Sequence, residues 1–253
     1  MQTRYSRLSK NSFSDSIVAT LLGVLAWLLL TLLPAQLAKG QGTIIFDNRI
    51  PAGTGVGQTT HIWGGTWLSL VGLGSNDSPS GTTPFAASGM AMIGAGGSGG
   101  HYGYATTFAQ LIGAVGIVPE SSLVPVGQTT TFRSGSALGD VAGIVDTLTG
   151  NPGIPAGAAF ASFEIVAWDN SSGLYPTWTQ AGPAWRAGLI AAGHSAEFVT
   201  SAIGGGINVT PYLNNQNSID QSSFNLFWVI PEPSTCALAA LGAGVLMLWR
   251  RRR

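Results

Sequence analysis

Hydrophobic positions follow one pattern at the two ends of the chain and another in its middle. Residues 17–33 form a run of seventeen residues without a charge, and residues 235–249 form a second run of fifteen. Between them the apolar runs are short, rich in β-branched and aromatic residues, and separated by Gly, Pro, Asn and Ser. Such a pattern is typical of strands joined by turns. It predicts a β-domain flanked by two hydrophobic targeting segments.

Six segments of the middle region have this strand-like composition. They are residues 43–48, 61–73, 128–133, 159–168, 195–201 and 224–230. Two of them, 159–168 and 224–230, carry apolar residues at both odd and even positions. A strand with two apolar faces suits an inner position between packed layers. We therefore expect an all-β fold, arranged as a two-sheet, jelly-roll-like β-sandwich. A β-helix is the alternative, and no short repeat period supports it.

One segment departs from the strand pattern. Residues 183–193 begin with Pro183 and end with Gly193. Proline is favoured in the first turn of a helix, and glycine is favoured just after its last turn. The segment therefore predicts one short helix near 183–193, packed onto a sheet.

The first apolar run has the layout of a secretory signal peptide. Arg4, Arg7 and Lys10 precede it, and a stretch with small residues, 35–40, follows it. A basic start, an apolar centre and a small-residue cleavage site direct a chain out of the cytoplasm. We expect removal of residues 1–40, with cleavage after Gly40. An uncleaved membrane anchor is the alternative, because the run exceeds the usual length of the apolar centre.

The second apolar run is short for a membrane span. As a helix, residues 235–249 would extend about 22 Å at about 1.5 Å per residue, less than the roughly 30 Å hydrocarbon core of a bilayer. Trp249 would lie at the interface, and the four arginines beyond it would stay cytoplasmic. We expect a transmembrane segment that holds the chain temporarily. A buried C-terminal helix and a GPI signal are weaker alternatives, because both are at odds with a terminal arginine cluster.

The order of features at the C-terminus resembles a known sorting signal. Pro231, Glu232 and Pro233 precede the apolar run, and Arg250, Arg251, Arg252 and Arg253 follow it. This order is similar to the PEP-CTERM signals of Gram-negative bacteria. The resemblance implies that an exosortase, a membrane cysteine protease, recognises the motif and removes the tail. It also implies export to the cell surface or to an exopolysaccharide matrix. It covers only residues 231–253 and implies nothing about the fold of residues 41–230.

The charge of the middle region differs from that of the whole chain. The formal net charge of the chain is zero, but residues 41–230 hold three arginines, no lysine and nine acidic residues, a net charge of −6. Proteins that bind nucleic acid carry a basic surface, so we exclude that class of partner. The single cysteine, Cys236, lies in the C-terminal tail. The exported domain is therefore expected to have no disulfide bond.

The sequence contains no recognisable catalytic motif. Its three histidines are far apart: His61, His101 and His194. Ser195 and Glu197 lie beside the last of them, but no Gly-x-Ser-x-Gly turn surrounds the serine. Glu164 and Asp169 are five positions apart on a predicted strand, which places them on opposite faces rather than around one sugar. We expect a protein that is not an enzyme, with no catalytic residue, no cofactor and no metal site.

Tryptophans provide the only candidate binding chemistry. Indole faces stack on sugar rings, and the candidate glycan contacts are Trp168, Asp169, Asn170 and Trp178. Packing of these tryptophans in the core is the alternative. Three functions follow as expectations. The first is a non-enzymatic structural or adhesive protein of the surface or matrix, the second is a carbohydrate-binding module, and the third is a secreted glycan hydrolase.

Overall fold

The computed structural model of the protein describes residues 40–49, 60–73, 85–213 and 222–230. The chain divides into two compact units, Met1–Lys39 and Gly40–Arg253, and all the described residues belong to the second. The predicted signal peptide up to residue 39 and the whole predicted sorting tail, residues 231–253, lie outside the described residues. Within those described ranges, no helix is both long and apolar enough to cross a membrane.

The prediction of an all-β fold is confirmed. The described part of the chain forms ten strands and one α-helix, α1, at Trp178–Arg186. The strands are β1 Thr43–Phe46, β2 Ile62–Thr66, β3 Val71–Leu73, β4 Thr107–Val115, β5 Val124–Pro125, β6 Ile144–Thr147, β7 Phe160–Asp169, β8 Ala192–His194, β9 Phe198–Ser201 and β10 Ser222–Phe227.

Eight strands form one mixed sheet, and two form a separate pair. The order of the large sheet is β2-β10-β8-β7-β4-β5, with β3 also pairing with β10 and β9 with β7. Its pairings are antiparallel except that of β2 with β10. The separate pair is β1 with β6, also antiparallel. Ile44 and Phe46 of this pair share an apolar cluster with Leu111 and Phe163 of the large sheet. The jelly-roll-like sandwich itself stays a prediction.

Strand β7 is the centre of the large sheet, and both of its faces are covered. Phe163 and Ile165 belong to the main apolar core. Val166 and Trp168 point to the other side, where they pack with residues of α1. Side chains alternate between the faces of a strand, so two apolar faces require a covering layer on each. The uninterrupted apolar sequence of β7 reflects this position.

The helix begins earlier than the sequence predicts. It spans Trp178–Arg186 rather than 183–193, and Pro183 lies inside it. Pro183 lacks the N–H of one internal helix bond, but the short helix tolerates this because it is packed against the sheet. Gly188, with a φ of +70°, takes the left-handed conformation just after the helix. Gly193, expected to follow the last turn, instead lies in β8.

Two predicted strands also differ from the observed ones. The segment 61–73 is divided into β2 and β3, which pair with the same strand, β10, in opposite directions. The segment 128–133 forms only isolated bridges, of Thr130 with Ala109 and of Phe132 with Val141. Both segments have the apolar composition of a strand, but the path of the chain prevents either from forming one continuous ladder of strand hydrogen bonds.

Candidate functional site

The described residues bring a carboxylate and an imidazole together at the end of β7. The Oδ2 atom of Asp169 lies 2.5 Å from Nδ1 of His101. Its Oδ1 atom accepts a hydrogen bond of 2.9 Å from the backbone N–H of Ser171. The Asp169 side chain is 3% exposed and the His101 side chain is 71% exposed. The carboxylate is therefore held in a fixed position, and the imidazole that it orients faces solvent.

His101 lies in a glycine-rich loop that is folded back on itself before β4. The hydroxyl of Thr106 donates to the carbonyl of Gly100 at 2.6 Å, and the N–H of Tyr104 donates to the carbonyl of Gly97 at 3.0 Å. Tyr102 has a φ of +60°, a conformation that is uncommon for a residue with a side chain. Such strained residues concentrate at functional sites. The loop thus holds His101 at a defined place.

The ring of Tyr102 lies directly on the backbone of β2. A Cβ atom at Gly65 would meet the hydroxyl end of this ring, so only glycine leaves room for it. On its other side, the Tyr102 hydroxyl accepts a hydrogen bond of 3.3 Å from Nε1 of Trp228. Tyr102 therefore connects the His101 loop to β2 and to the end of β10.

Two clefts meet at His101. The first, of about 270 Å³, has His101 and Asp169 among its polar lining residues and Leu189, Ile190 and Trp228 among its apolar ones. The second, of about 310 Å³, is lined by His101 and Tyr102 together with β2 and the residues around Met90. Binding pockets for small molecules usually occupy about 300 to 1,000 Å³. The second cleft lies at the lower end of this range, and the first lies just below it.

An exposed indole lies beside the first cleft. Trp67 is 65% exposed, and its ring centre is 6.3 Å from that of Trp228, which lines the cleft. Large aromatic side chains left in solvent next to a cleft mark binding surfaces more often than isolated exposed residues do. We call the group formed by Trp67, His101, Tyr102, Asp169 and Trp228 the His101 site.

The structure places the four predicted glycan contacts in different environments. Trp168 is fully buried; its Nε1 donates to the carbonyl of Tyr175 at 2.7 Å, and its ring packs between Phe108 and Trp178. Asn170 is also buried, and its Oδ1 accepts the N–H of Tyr175 at 2.8 Å. Trp168 and Asn170 thus stabilise the loop after β7 and offer no free face to a ligand.

The other two predicted contacts differ from each other. Trp178 is half-buried between Trp168 and Trp185, so it belongs to the layer beneath α1. Asp169 lines the first cleft. Trp168 therefore has no free ring face, whereas Trp67 is 65% exposed and lies beside Trp228. The sequence contains no local signal that shows which tryptophans are exposed.

A second polar cluster lies on the α1 side of the large sheet. His194 Nδ1 is 3.4 Å from Oε2 of Glu164, and Glu120 offers a carboxylate oxygen within 4.8 Å of these ligand atoms. Burial raises the pKa of Glu164 above its usual value, although the hydrogen bond from His194 partly opposes this. The same hydrogen bond raises the pKa of His194. Glu164 and Asp169 lie on opposite faces of β7, as their spacing predicted.

Ser195 takes no part in a catalytic triad. Its hydroxyl accepts the N–H of Ile165 at 3.0 Å and donates to the carbonyl of Ala196 at 2.8 Å. The side chain is almost fully buried, because Ser195 is only 1% exposed. A hydroxyl bound in this way connects two segments of backbone and cannot attack a substrate. His194 is paired with Glu164 rather than with Glu197.

Comparison with known families identifies one segment of the chain. Residues 229–253 match the PEP-CTERM protein-sorting motif. No curated protein and no solved structure matches the chain. The match confirms the resemblance seen at the C-terminus, and it implies an exported protein that is sorted through an exosortase. The roles of single residues within the motif stay predictions, and the match does not extend to the His101 site.

Proposed function

We propose that this protein is a non-enzymatic, adhesive component of the cell surface or of the exopolysaccharide matrix. Its β-domain attaches to carbohydrate through the His101 site. The sorting motif supports the destination. The observation that carries the binding function is that the Asp169–His101 pair lines a cleft together with the partly exposed indole of Trp228, beside the exposed indole of Trp67.

The chemistry of the His101 site suits a sugar. A pyranose ring presents hydroxyl groups at its edge and C–H groups on its faces. The imidazole of His101, oriented by the buried carboxylate of Asp169, can hydrogen-bond hydroxyl groups, and the indoles of Trp67 and Trp228 can cover a ring face. Because Asp169 is already fixed by Ser171 and His101, little side-chain entropy is lost when a ligand binds.

Binding without turnover accounts for the site better than glycan hydrolysis does. Hydrolysis of a glycosidic bond requires two carboxyl groups about 5 to 9.5 Å apart on either side of the bond. Among the described residues that line the first cleft, Asp169 is the only acid. Glu120 and Glu164 are close together elsewhere, but Glu164 is only 2% exposed. A secreted glycan hydrolase is therefore the alternative that receives less support.

In this proposal, the two ends of the chain direct its export and sorting. The signal peptide carries the chain across the membrane, and residues 235–249 hold it there while an exosortase acts at Pro231, Glu232 and Pro233. Release of the tail removes Arg250 to Arg253 and leaves a domain with a net charge of −6. Such a charge favours a neutral polysaccharide over an acidic one, because acidic chains would be repelled.

A binding assay with single substitutions tests this function. Polysaccharide isolated from the host matrix is immobilised, and retention of the protein is measured for wild type, Trp67→Ala, His101→Ala and Asp169→Asn. Trp67→Ala and His101→Ala each remove one contact, and Asp169→Asn removes the charge that orients His101, so we expect a loss of affinity of about fivefold to a hundredfold for each. Trp67 and His101 are exposed, so their substitution leaves the fold intact.

The matched control is Phe160→Ala. Phe160 is 48% exposed and begins β7, whose other end carries Asp169. At about 3.3 Å per residue the two ends are about 30 Å apart, so this change should leave retention unaltered. Retention that is equal in wild type, Trp67→Ala and His101→Ala would refute the site, and the absence of any retention would refute the function.

A further inference from the structure

We propose that Glu120, Glu164 and His194 form a binding site for one divalent transition-metal ion, of the Zn²⁺ class. The three side chains come from separate segments that the large sheet brings together. Glu164 lies within β7, and His194 ends β8, where it pairs with Val166. Glu120 begins the 3₁₀ turn Glu120–Ser122. The site is independent of the carbohydrate site around His101.

The spacing of the donor atoms fits a single ion. Nδ1 of His194 lies 3.4 Å from Oε2 of Glu164 and 3.0 Å from the carbonyl oxygen of Ser195. Two ligands that are each about 2.1 Å from Zn²⁺, at ordinary coordination angles, lie about 3.0 to 3.5 Å apart. Glu120 needs only a small side-chain movement to join them, because its oxygen is already within 4.8 Å. Three protein ligands leave the fourth position of a tetrahedral Zn²⁺ site to water.

The local charges favour a cation at this place. Glu164 is 2% exposed, and a carboxylate removed from water requires a compensating positive charge. Of the described charged groups that act on Glu164, only His194 is positive, whereas Glu120 and Glu197 are negative. The imidazole of His194 therefore lies near two carboxyl groups, those of Glu164 and Glu120. A divalent ion would balance the buried charge more completely than a protonated histidine does.

The ligands are held in place by the surrounding structure. The ring of His194 packs edge-on against Trp185, with an interplanar angle of 70°. Glu164 is fixed by the ladders on both sides of β7. An ion bound here would connect β7, β8 and the segment before β5. Such a connection would act as a cross-link in an exported domain, because the only cysteine of the chain, Cys236, lies in the sorting tail.

The donor set also indicates which ion is preferred. Imidazole nitrogen suits Zn²⁺ and other transition metals, whereas Ca²⁺ and Mg²⁺ prefer oxygen ligands alone. A site with one nitrogen and several oxygen donors should therefore bind Zn²⁺ most tightly, Mn²⁺ less tightly and Ca²⁺ weakest. This order distinguishes the site from a general attraction of cations to an acidic surface.

Isothermal titration calorimetry tests the proposal. The full chain, produced without a histidine tag and treated with EDTA, is titrated with the chlorides of Zn²⁺, Mn²⁺ and Ca²⁺. Wild type should bind one Zn²⁺ per chain with saturation, and His194→Ala and Glu120→Gln should each weaken this binding at least about tenfold. His101→Ala is the matched control, since it removes another histidine and should bind Zn²⁺ as wild type does.

Glu120 is a better residue to substitute than Glu164, because its change does not disturb the fold. Glu164→Gln changes a buried group that contributes to folding, whereas Glu120 is exposed and its substitution leaves the fold intact. A melting curve with and without Zn²⁺ gives a second measurement, because an ion that binds only the folded state raises the melting temperature. We expect this rise in wild type and His101→Ala but not in His194→Ala. The proposal is overturned if wild type shows no saturable binding, if Glu120→Gln and His194→Ala bind as wild type does, or if only His101→Ala loses binding.

Discussion

Replacement of Asp146 by asparagine should make the stability of the protein less dependent on pH. Asp146 lies in β6 and is fully buried. Its two carboxylate oxygens accept the N–H of Gln128, each at 3.0 Å, and the carboxylate also lies against the backbone of Gly127. Burial raises its pKa from 3.8 to about 6, although the hydrogen bonds from the backbone partly oppose this.

The direction of the effect follows from this raised pKa. The folded state binds the proton more tightly than the unfolded state does, so Asp146 contributes stability at pH values below about 4. That contribution is lost as the pH rises from about 4 through about 6. A difference of about two pKa units corresponds to at most about 3 kcal/mol, and relaxation of the structure around the charge reduces this to about 1–3 kcal/mol. An asparagine at this position would keep an acceptor for the N–H of Gln128 without a charge.

Urea unfolding at pH 4 and pH 8 measures this effect. The free energy of unfolding of Asp146→Asn, minus that of wild type, should be about 1–3 kcal/mol higher at pH 8 than at pH 4, because only wild type loses stability over this range. Gln128→Ala is the control, because it leaves the backbone N–H and removes no ionisable group, so its difference from wild type should be the same at both pH values. The reasoning is refuted if Asp146→Asn also shows an equal difference from wild type at pH 4 and pH 8.

Two further substitutions test a buried hydrogen-bonding side chain and the backbone beneath the Tyr102 ring. Asn48→Ala should lower the free energy of unfolding, measured with urea, by about 3 kcal/mol or more. The buried Asn48 side chain donates to the carbonyls of Thr60 and Gly139 and accepts the N–H of Val141. Asn48→Leu is the control: it restores side-chain volume without the hydrogen bonds, so it should not restore the lost stability. Gly65→Ala should weaken carbohydrate retention severalfold by displacing the ring of Tyr102, and unchanged retention would show that Tyr102 does not position the site.

The sequence predicted the central strand, β7, better than it predicted the neighbouring strand, β4. The apolar run that became β7 was recognised because both faces of that strand are buried. Its partner β4 was not recognised, since Gln110 and Gly113 interrupt the apolar pattern. The structure explains both exceptions: Gln110 donates to the carbonyl of Gly127 at 2.6 Å and accepts the N–H of Trp178 at 3.0 Å, and Gly113 leaves room for the ring of Phe163.

Of the four predicted glycan contacts, Asp169 is the one that lines the first cleft. Its polar character at the end of an apolar strand was visible in the sequence. Its partner His101 lies 68 positions before it, and Trp67, which packs beside Trp228, comes earlier still, so only the topology of the sheet reveals these contacts. The sequence also does not reveal the group of Glu120, Glu164 and His194, because these residues come from separate segments and have no common spacing. Local patterns identify strands, whereas sites assembled from several strands require the topology.

Above all, the chain should be exported, lose its C-terminal tail and remain with the surface or matrix carbohydrate. The intact mass of the protein recovered from the surface and matrix fraction of its host tests this most directly. We predict a single species that lacks residues 1–40 and the tail that follows the Pro-Glu-Pro motif, including Arg250 to Arg253. A mass that still includes the terminal arginines, or recovery of the protein only from the cytoplasmic fraction, would contradict this route.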